Sequence, residues 1–418
     1  MKILHLASQD NGGAGRAALR LHQALLEQGI DSQMIVQHKT TDLPTIHTLT
    51  QSRYQKLLIP FRQAFDQLPT LFYKNKKKDI FSSTFVPSNK LLLKRIKEFN
   101  PDIIHLHWIN SGFINIFDLF KFEKPILWSL HDANTFTGGC HVVDKGCEKY
   151  KSFCHSCSLL NSKFKYDISY LNFKRKQRAY KNLDFTVNGL SHWIASEAKS
   201  STLLKDKTII NLPNTIDTTI FHPVDKNIAR EILGIKSQKF ILGFGAISST
   251  QVERKGYLQL KKALELLPHK DCYMLIVFGS SYGKEIAGIE TIFLGHIHDD
   301  TTLKLMYSVF DATIMPSLSE SFGQVALESL ACGTPVVCFN TTGLKDIVTH
   351  KYNGFLAQNF SSQELSQGIQ WIFSLQQKQK KQLRSNAIQT AKKFSYPLIS
   401  RQYIQQYTNI LQNTTIST

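Results

Sequence analysis

Apolar and polar positions follow two periods along this chain. In the first half, short apolar runs recur (KILHLAS, SQMIVQH, DIIHLHW, PILWSLHD and DFTVNGLS), separated by stretches long enough for crossover helices. Between the first two runs, GRAALRLHQALLEQG sets Ala17, Leu21, Ala24 and Leu25 at helical spacing, with Gly29 placed to stop the helix. Strand, helix and strand in that order predict a βαβ opening. Strands this continuously apolar predict a parallel sheet covered on both faces. A second series begins after LPNTIDTTIFHP: the strands FILGFGA, YMLIVFGS, TIFLGHI, ATIMPS and PVVCFN, and the helices YLQLKKALELL, TTLKLMYSVF and FGQVALESLACG. The pattern predicts an α/β fold of two Rossmann-like, doubly wound domains, residues 1–212 and 213–395, with a hinge between Pro213 and Pro223. Residues 396–418 then form a last helix with Ile399, Tyr403 and Tyr407 on one face.

A length of 418 residues exceeds what one core usually supports, which agrees with two domains. The apolar fraction of 42% excludes disorder and collagen-like order. Fifty Lys and Arg against 32 acidic residues give a formal charge of +18, a surface that attracts phosphates, nucleic acid or anionic lipid. The opening apolar run is too short for a signal-peptide core, and no window reaches the length of a membrane span. The expected location is therefore cytoplasmic, with peripheral contact to the inner face of the membrane. Seven cysteines in a chain of this length do not make a secreted disulfide scaffold.

The stretch ESFGQVALE, Glu320 to Glu328, follows the strand ATIMPS and opens a helix. In open α/β sheets, ligands bind beyond the carboxyl ends of the strands, where helix N-termini offer unpaired N–H groups and a positive dipole end. Gly323 lets backbone approach an anion there. Glu328, one turn into the helix, can accept two hydrogen bonds from a vicinal diol such as a ribose, and Glu320 can bind sugar hydroxyls. The plain alternative is a pair of solvated glutamates stabilised by the helix dipole.

Taken with ACGTPVV, TTGLKDIV and YNGFL downstream, NGGAG after the first strand, His131-Asp132 after an apolar strand, PNTID and RKG, the motif resembles the retaining glycosyltransferases of family 4, which have the GT-B fold. The resemblance covers most of the chain. It implies two domains facing across a cleft, a last helix returning to the first domain, and a nucleotide diphosphate sugar as donor. It implies that Glu328 binds the ribose, Glu320 the donor sugar, and the amides of Phe322 and Gly323 the diphosphate, which Lys255 neutralises. The family's usual arginine falls in GAISS, where the residues are small or apolar, and Arg254 is the substitute. His131 is implied in the cleft near the donor sugar, and Gly12 and Gly13 let the first loop approach donor phosphates or acceptor. The implied reaction is retaining hexosyl transfer onto a surface polysaccharide, lipopolysaccharide or lipid-linked oligosaccharide. Cations and N–H dipoles around the diphosphate lower the barrier to leaving. No catalytic metal is expected, since the chain lacks any Asp-x-Asp pair.

Cys140, Cys147, Cys154 and Cys157 fall within CHVVDKGCEKYKSFCHSC, and four thiols so spaced can form a structural zinc site pinning an insertion, residues 138–160, that lacks its own core. His141 or His155 can replace one ligand; a redox pair or free thiols are the alternatives. A subgroup of the family, the exopolysaccharide and colanic-acid-type enzymes, resembles this chain in HD-x-x-x-x-TGGC followed by further cysteines. The basic tracts KNKKK (Lys74 to Lys78), LLLKRIK and FKYDISYLNFKRKQRAYK suit an anionic membrane surface, or are simply a solvated face. Two rival functions remain. A nicotinamide-dependent oxidoreductase fits G-x-G-x-x-A at Gly13 to Ala18, but the second strand ends in VQHKT without the acidic ribose ligand. A nucleic-acid binder fits the charge and leaves Glu320 and Glu328 unexplained.

Overall fold

The computed structural model describes residues 1–50, 53–74, 76, 81–144, 146–245, 250–284 and 286–416. The chain divides into two compact units, Met1–Pro213 together with Ser400–Thr418, and Asn214–Ile399.

The first unit carries β1 (Lys2–Gln9), α1 (Gly12–Glu27), β2 (Asp31–His38), β3 (Ile46–Thr48), α2 (Arg53–Gln67), α3 (Lys90–Phe99), β4 (Ile103–Leu106), β5 (Ile126–Leu130), α4 (Ile168–Tyr180), β6 (Thr186–Gly189), α5 (His192–Ser200) and β7 (Ile209–Asn211). Its strands, among the described residues, form one parallel sheet in the order β3-β2-β1-β4-β5-β6-β7. Every residue of β4 and β5 is buried, which is why the sequence shows them as unbroken apolar runs. Gly29, with φ 74°, ends α1 in the left-handed conformation that other residues adopt at a cost. The strand order reverses between β1 and β4, so the loops after these strands diverge and leave a crevice at their carboxyl ends.

The second unit repeats the plan with α6 (Lys226–Ile232), β8 (Phe240–Gly245), α7 (Tyr257–Glu265), β9 (Tyr273–Phe278), β10 (Glu290–Phe293), α8 (Asp300–Val309), β11 (Ala312–Met315), α9 (Gln324–Ala331), β12 (Val336–Phe339), β13 (Gly354–Ala357), α10 (Ser362–Ser374) and α11 (Gln377–Lys392). Its parallel order is β10-β9-β8-β11-β12-β13, with the reversal between β8 and β11.

The last helix, α12 (Tyr396–Ile416), belongs from Ser400 onward to the first unit. Ile399, Tyr403 and Tyr407 are all buried, as the apolar stripe requires. The Tyr407 hydroxyl lies 2.7 Å from Nδ1 of His105, and the Tyr403 hydroxyl accepts from Nδ2 of Asn188 at 2.8 Å. A buried phenol bonded in this way ties the helix to β4 and β6 through polar contacts that tolerate few alternatives.

Two sequence expectations differ from the fold. The segment 138–160 does not lack a core: Tyr150 and Cys154 join the main cluster of the first unit, and Cys157, Leu159 and Leu160 pack with Phe81 and Ile168. The basic tract of α4 is not uniformly solvated. Lys176 is buried, donating from Nζ to the carbonyls of Asn134 and Thr137, and burial lowers its pKa to about 8. Arg175 is half-buried and stacks over the Phe85 and Phe117 rings. Lys77 and Lys78 lie outside the described residues, as do the residues of AISS after β8.

Candidate active site

In the second unit the chemistry gathers where the strand order reverses. Because β8 and β11 are neighbours, the loops that follow them meet although Lys255 and Glu320 are 65 residues apart. Lys255 Nζ lies 2.6 Å from Glu320 Oε1, with both side chains about 15% exposed. After β8, a single turn (Glu253–Lys255) presents the lysine and Gly256 then starts α7. Gly256 has φ 75°, and a Cβ there would stand 1.9 Å from the carbonyl oxygen of Pro316, so only glycine lets the two loops touch. The Leu318 amide donates to the carbonyl of Arg254 at 2.8 Å and adds a second tie. A third loop closes the set: the Glu320 amide donates to Thr342 Oγ1, and the Gly343 amide to the Glu320 carbonyl.

Burial pushes the Glu320 carboxyl up, but the charges of Lys255 and Arg254 outweigh it and hold the group below the usual carboxylate range. Burial likewise pushes the Lys255 ammonium below its ordinary value, against the opposing pull of Glu320. Gly323 caps α9 at φ 116° without any side-chain cap, leaving the first-turn amides for an anion. Gln324, the first residue of α9, has both side-chain polar atoms buried and without a hydrogen-bond partner. Such an orphaned amide at a helix start fits a site whose polar ligand completes it. Phe322 turns its side chain inward against Phe394, so only its backbone can serve a ligand. Glu328 is buried, and its Oε2 accepts from the Tyr307 hydroxyl at 2.8 Å. Neither glutamate is the solvated surface residue of the plain alternative.

Gly12, Gly13 and His131 belong to the first unit. Gly12 (φ 67°) makes the turn from β1 into α1, and the space where a Gly13 side chain would sit is open. His131 follows β5 directly and is half-buried, its Nε2 3.0 Å from Nδ1 of His107. Beside it, Asp132 accepts from Trp108 Nε1 and from His141 Nδ1, each at 2.6 Å, and from the Asn134 amide at 2.8 Å. Those donors overcome burial and keep the Asp132 carboxyl below its ordinary value.

Of the four cysteines, Cys140 and Cys157 have their sulfurs 3.6 Å apart. Cys154 instead accepts from the Gly138 amide at 3.2 Å. Among the described residues, the His, Cys, Asp and Glu ligand atoms that lie in threes within 4.8 Å of one another are those of His5, His105 and His107, not those of the cysteines.

Comparison with known proteins fits this geometry. Residues 11–219 match the family model described as Glycosyltransferase Family 4, and residues 225–393 match Glycosyl transferases group 1. The chain belongs to glycosyltransferase family 4. The putative colanic acid biosynthesis glycosyl transferase WcaC of Escherichia coli K12 is 26% identical over 160 residues, 36% of this chain and 38% of that protein. The family 4 chain spans well under half the length of the curated relatives it matches, 38% and 41% for two others. In three dimensions it superposes on sucrose-phosphate synthase of Thermosynechococcus elongatus with a TM-score of 0.69 at 18% identity, covering 99% and 100% of the two chains. Anabaena HepE in complex with UDP-glucose gives a TM-score of 0.65 at 18% identity, covering 98% and 100%. At these identities the likeness is one of fold, the GT-B fold.

Several residues of the family 4 chain that shape the site have no motif. Tyr307, which holds Glu328, sits in a helix whose pattern marks it only as apolar. Trp108 and His141, which hold Asp132, are 24 and 9 residues from it; strand order brings Trp108 near, and the fold of the loop after β5 brings His141. Gly256 does carry a sequence signal, as the glycine of the RKG that opens a helix.

Proposed function

We propose that this family 4 chain transfers a hexose, with retention, from a nucleotide diphosphate sugar to a growing surface polysaccharide, lipopolysaccharide or lipid-linked oligosaccharide. The observation that carries the reading is the 2.6 Å Lys255–Glu320 contact at the carboxyl ends of β8 and β11, beside the uncapped start of α9. In this reading Lys255, Arg254 and the amides of Phe322 and Gly323 hold the diphosphate, Glu320 the sugar hydroxyls and Glu328 the ribose. His131 serves the donor sugar, and Gly12 and Gly13 let the loop after β1 approach donor phosphates or acceptor.

The acceptor hydroxyl attacks the anomeric carbon on the face that the diphosphate vacates. The carbon–oxygen bond to the diphosphate breaks, its electron pair leaves with the diphosphate, and a diphosphate oxygen takes the hydroxyl proton. Preorganised cations and N–H dipoles stabilise the charge that develops. Supporting the donor class, HepE was solved with UDP-glucose; supporting a polysaccharide acceptor, WcaC is named for colanic acid biosynthesis.

The test is calorimetric titration with UDP and UDP-glucose, alongside GDP and GDP-mannose. Loss of a hydrogen-bonding carboxylate at the ribose should cost about 1.5–3 kcal/mol, so Glu328→Ala should bind the preferred nucleotide about 10- to 100-fold more weakly. Binding of no nucleotide, or equal binding by the variant, would refute the assignment.

Two finer readings go with this one. A structural zinc fits Cys140 and Cys157, since thiolates about 2.3 Å from one tetrahedral ion stand roughly 3.8 Å apart; Cys147 and Cys154 must close on them to complete the set. Purified protein should then carry close to one zinc per chain, and under half an equivalent rejects the site. An anionic membrane surface fits the first unit, where Phe61 and Phe65 of α2 are exposed, as are Leu71 and Phe72 shortly before Lys74 in sequence. No described helix is long and apolar enough to cross a membrane. Co-sedimentation should favour phosphatidylglycerol vesicles over phosphatidylcholine, and equal pelleting removes the membrane reading.

A further inference from the structure

A row of imidazoles runs through the interior of the first unit and ends at His131. His5 of β1 and His105 of β4 are register partners, so they project to the same side of the sheet, and His107 follows two residues on. Ring centroids are 5.2 Å apart for His5 and His107 and 4.2 Å for His105 and His107. The three rings have nitrogens within 4.8 Å of one another, the spacing of a metal centre. Their orientation argues otherwise. The His105 ring lies over that of His107, centroids 4.2 Å apart at 29°, whereas nitrogen lone pairs lie in the ring planes, so these two do not converge on one ion. His105 also has both nitrogens occupied, Nδ1 by the Tyr407 hydroxyl and Nε2 by Ser129 Oγ.

What the rings form is a directed chain of hydrogen bonds. Nε2 of His131 meets Nδ1 of His107 at 3.0 Å, and Nε2 of His107 meets Nδ1 of His5 at 3.0 Å. The row stops at His5 Nε2, which is buried without a hydrogen-bond partner. A neutral imidazole carries one N–H and one lone pair, so each link holds one proton and the row as a whole has two orientations. In one, His131 donates inward and His5 is left with an N–H on Nε2 facing nothing. In the other, His5 donates from Nδ1 to His107, His107 donates from Nδ1 to His131, and His5 Nε2 is left as a bare lone pair. A buried orphan N–H is the rarer and costlier of the two ends, so the second orientation prevails.

We propose that His5 and His107 are positioning residues that fix His131 as its Nδ1–H tautomer, so that His131 offers a hydrogen-bond donor, not a base, on the side away from the row. Burial holds the imidazoles of His5, His105 and His107 well below their ordinary pKa and His131 at about 4, which keeps the row neutral at physiological pH. A donor at this point can bind a sugar hydroxyl oxygen or a phosphate oxygen and cannot remove a proton. That matches a reaction in which the diphosphate takes the proton. The functional meaning rests on the transferase reading above; the tautomer does not.

The test is a long-range proton–nitrogen correlation spectrum of the full chain labelled with ¹⁵N-histidine at pH 7.5, with the His131 signals identified by their loss in His131→Asn. The expected result is a protonated Nδ1 and a lone-pair-type Nε2 for His131. In His107→Met the His131 signals should shift towards the Nε2–H form, which free histidine prefers in water. A wild-type His131 protonated on Nε2 overturns the proposal, and so does a tautomer unchanged in folded His107→Met. Should that variant not fold, the wild-type spectrum alone decides. Since no substrate is present, a protein that binds no nucleotide sugar yet shows the Nδ1–H form would sink the transferase reading and leave the row intact.

Discussion

Replacing Lys255 by alanine should lower kcat about 10²- to 10³-fold, the usual consequence of removing one preorganised charge from the place where negative charge develops. The lysine has a partner in the protein, so the variant also leaves Glu320 as a largely buried carboxylate with only the charge of Arg254 nearby. Breaking such a pair from one side should cost about 2 kcal/mol, between the values for exposed and fully buried pairs. Loss of rate and loss of stability are therefore confounded in the single variant. The double variant Lys255→Ala/Glu320→Ala separates them, since removing both charges should recover most of the stability and none of the rate. Turnover within threefold of wild type in Lys255→Ala, measured with saturating donor, would exclude the lysine from the transition state. A double variant as unstable as the single one would show that the pair is not what Glu320 contributes to the fold.

How far the sequence reveals this arrangement depends on whether a feature is local. Parallel strands buried on both faces are local, so β4, β5, β8 and β9 stand out as apolar runs, and the stripe of α12 is visible in Ile399, Tyr403 and Tyr407. Lys255, Glu320 and Glu328 stand out because their loops carry recognisable spacings. Three-residue strands such as β3 and β7 are too short to show a period. In α2 the interior Pro60 hides the helix, because proline is expected to end one. The imidazole row was invisible for a different reason: His5, His105, His107 and His131 become neighbours only once β1, β4 and β5 are placed side by side in register. Lys176 misled for the converse reason. Lying in a run of cations, it looks solvated, and only the fold of residues 134–137 supplies the carbonyls that bury it.

The same imidazoles should make the first unit acid-labile well above the carboxylate range. A histidine whose folded pKa is lowered binds fewer protons folded than unfolded, so stability rises with pH through the window between the two values. The contribution is complete above an unfolded value of 6.5 and is lost as pH falls toward the folded one. His22 has Nδ1 on Ser32 Oγ and Nε2 on Thr45 Oγ1, and burial, helped by the nearby His47, lowers it to about 4. From those two values, moving from pH 7.5 to pH 5 costs about 2 kcal/mol for this residue alone. His131 is lowered to about the same value, and His5, His105 and His107 well below the ordinary one. Together they can remove a large share of the roughly 5–15 kcal/mol that holds a domain. Thermal melts followed by tryptophan emission, to which Trp108 and Trp128 of this unit contribute, should show the transition falling steeply between pH 6.5 and pH 5. His22→Gln keeps polar atoms near both hydroxyls but cannot titrate, and should remove about one proton from the slope. A melting temperature that stays level from pH 7.5 to pH 5 would mean the imidazoles are charged or hydrated in the folded protein, and the neutral row would fall with that result.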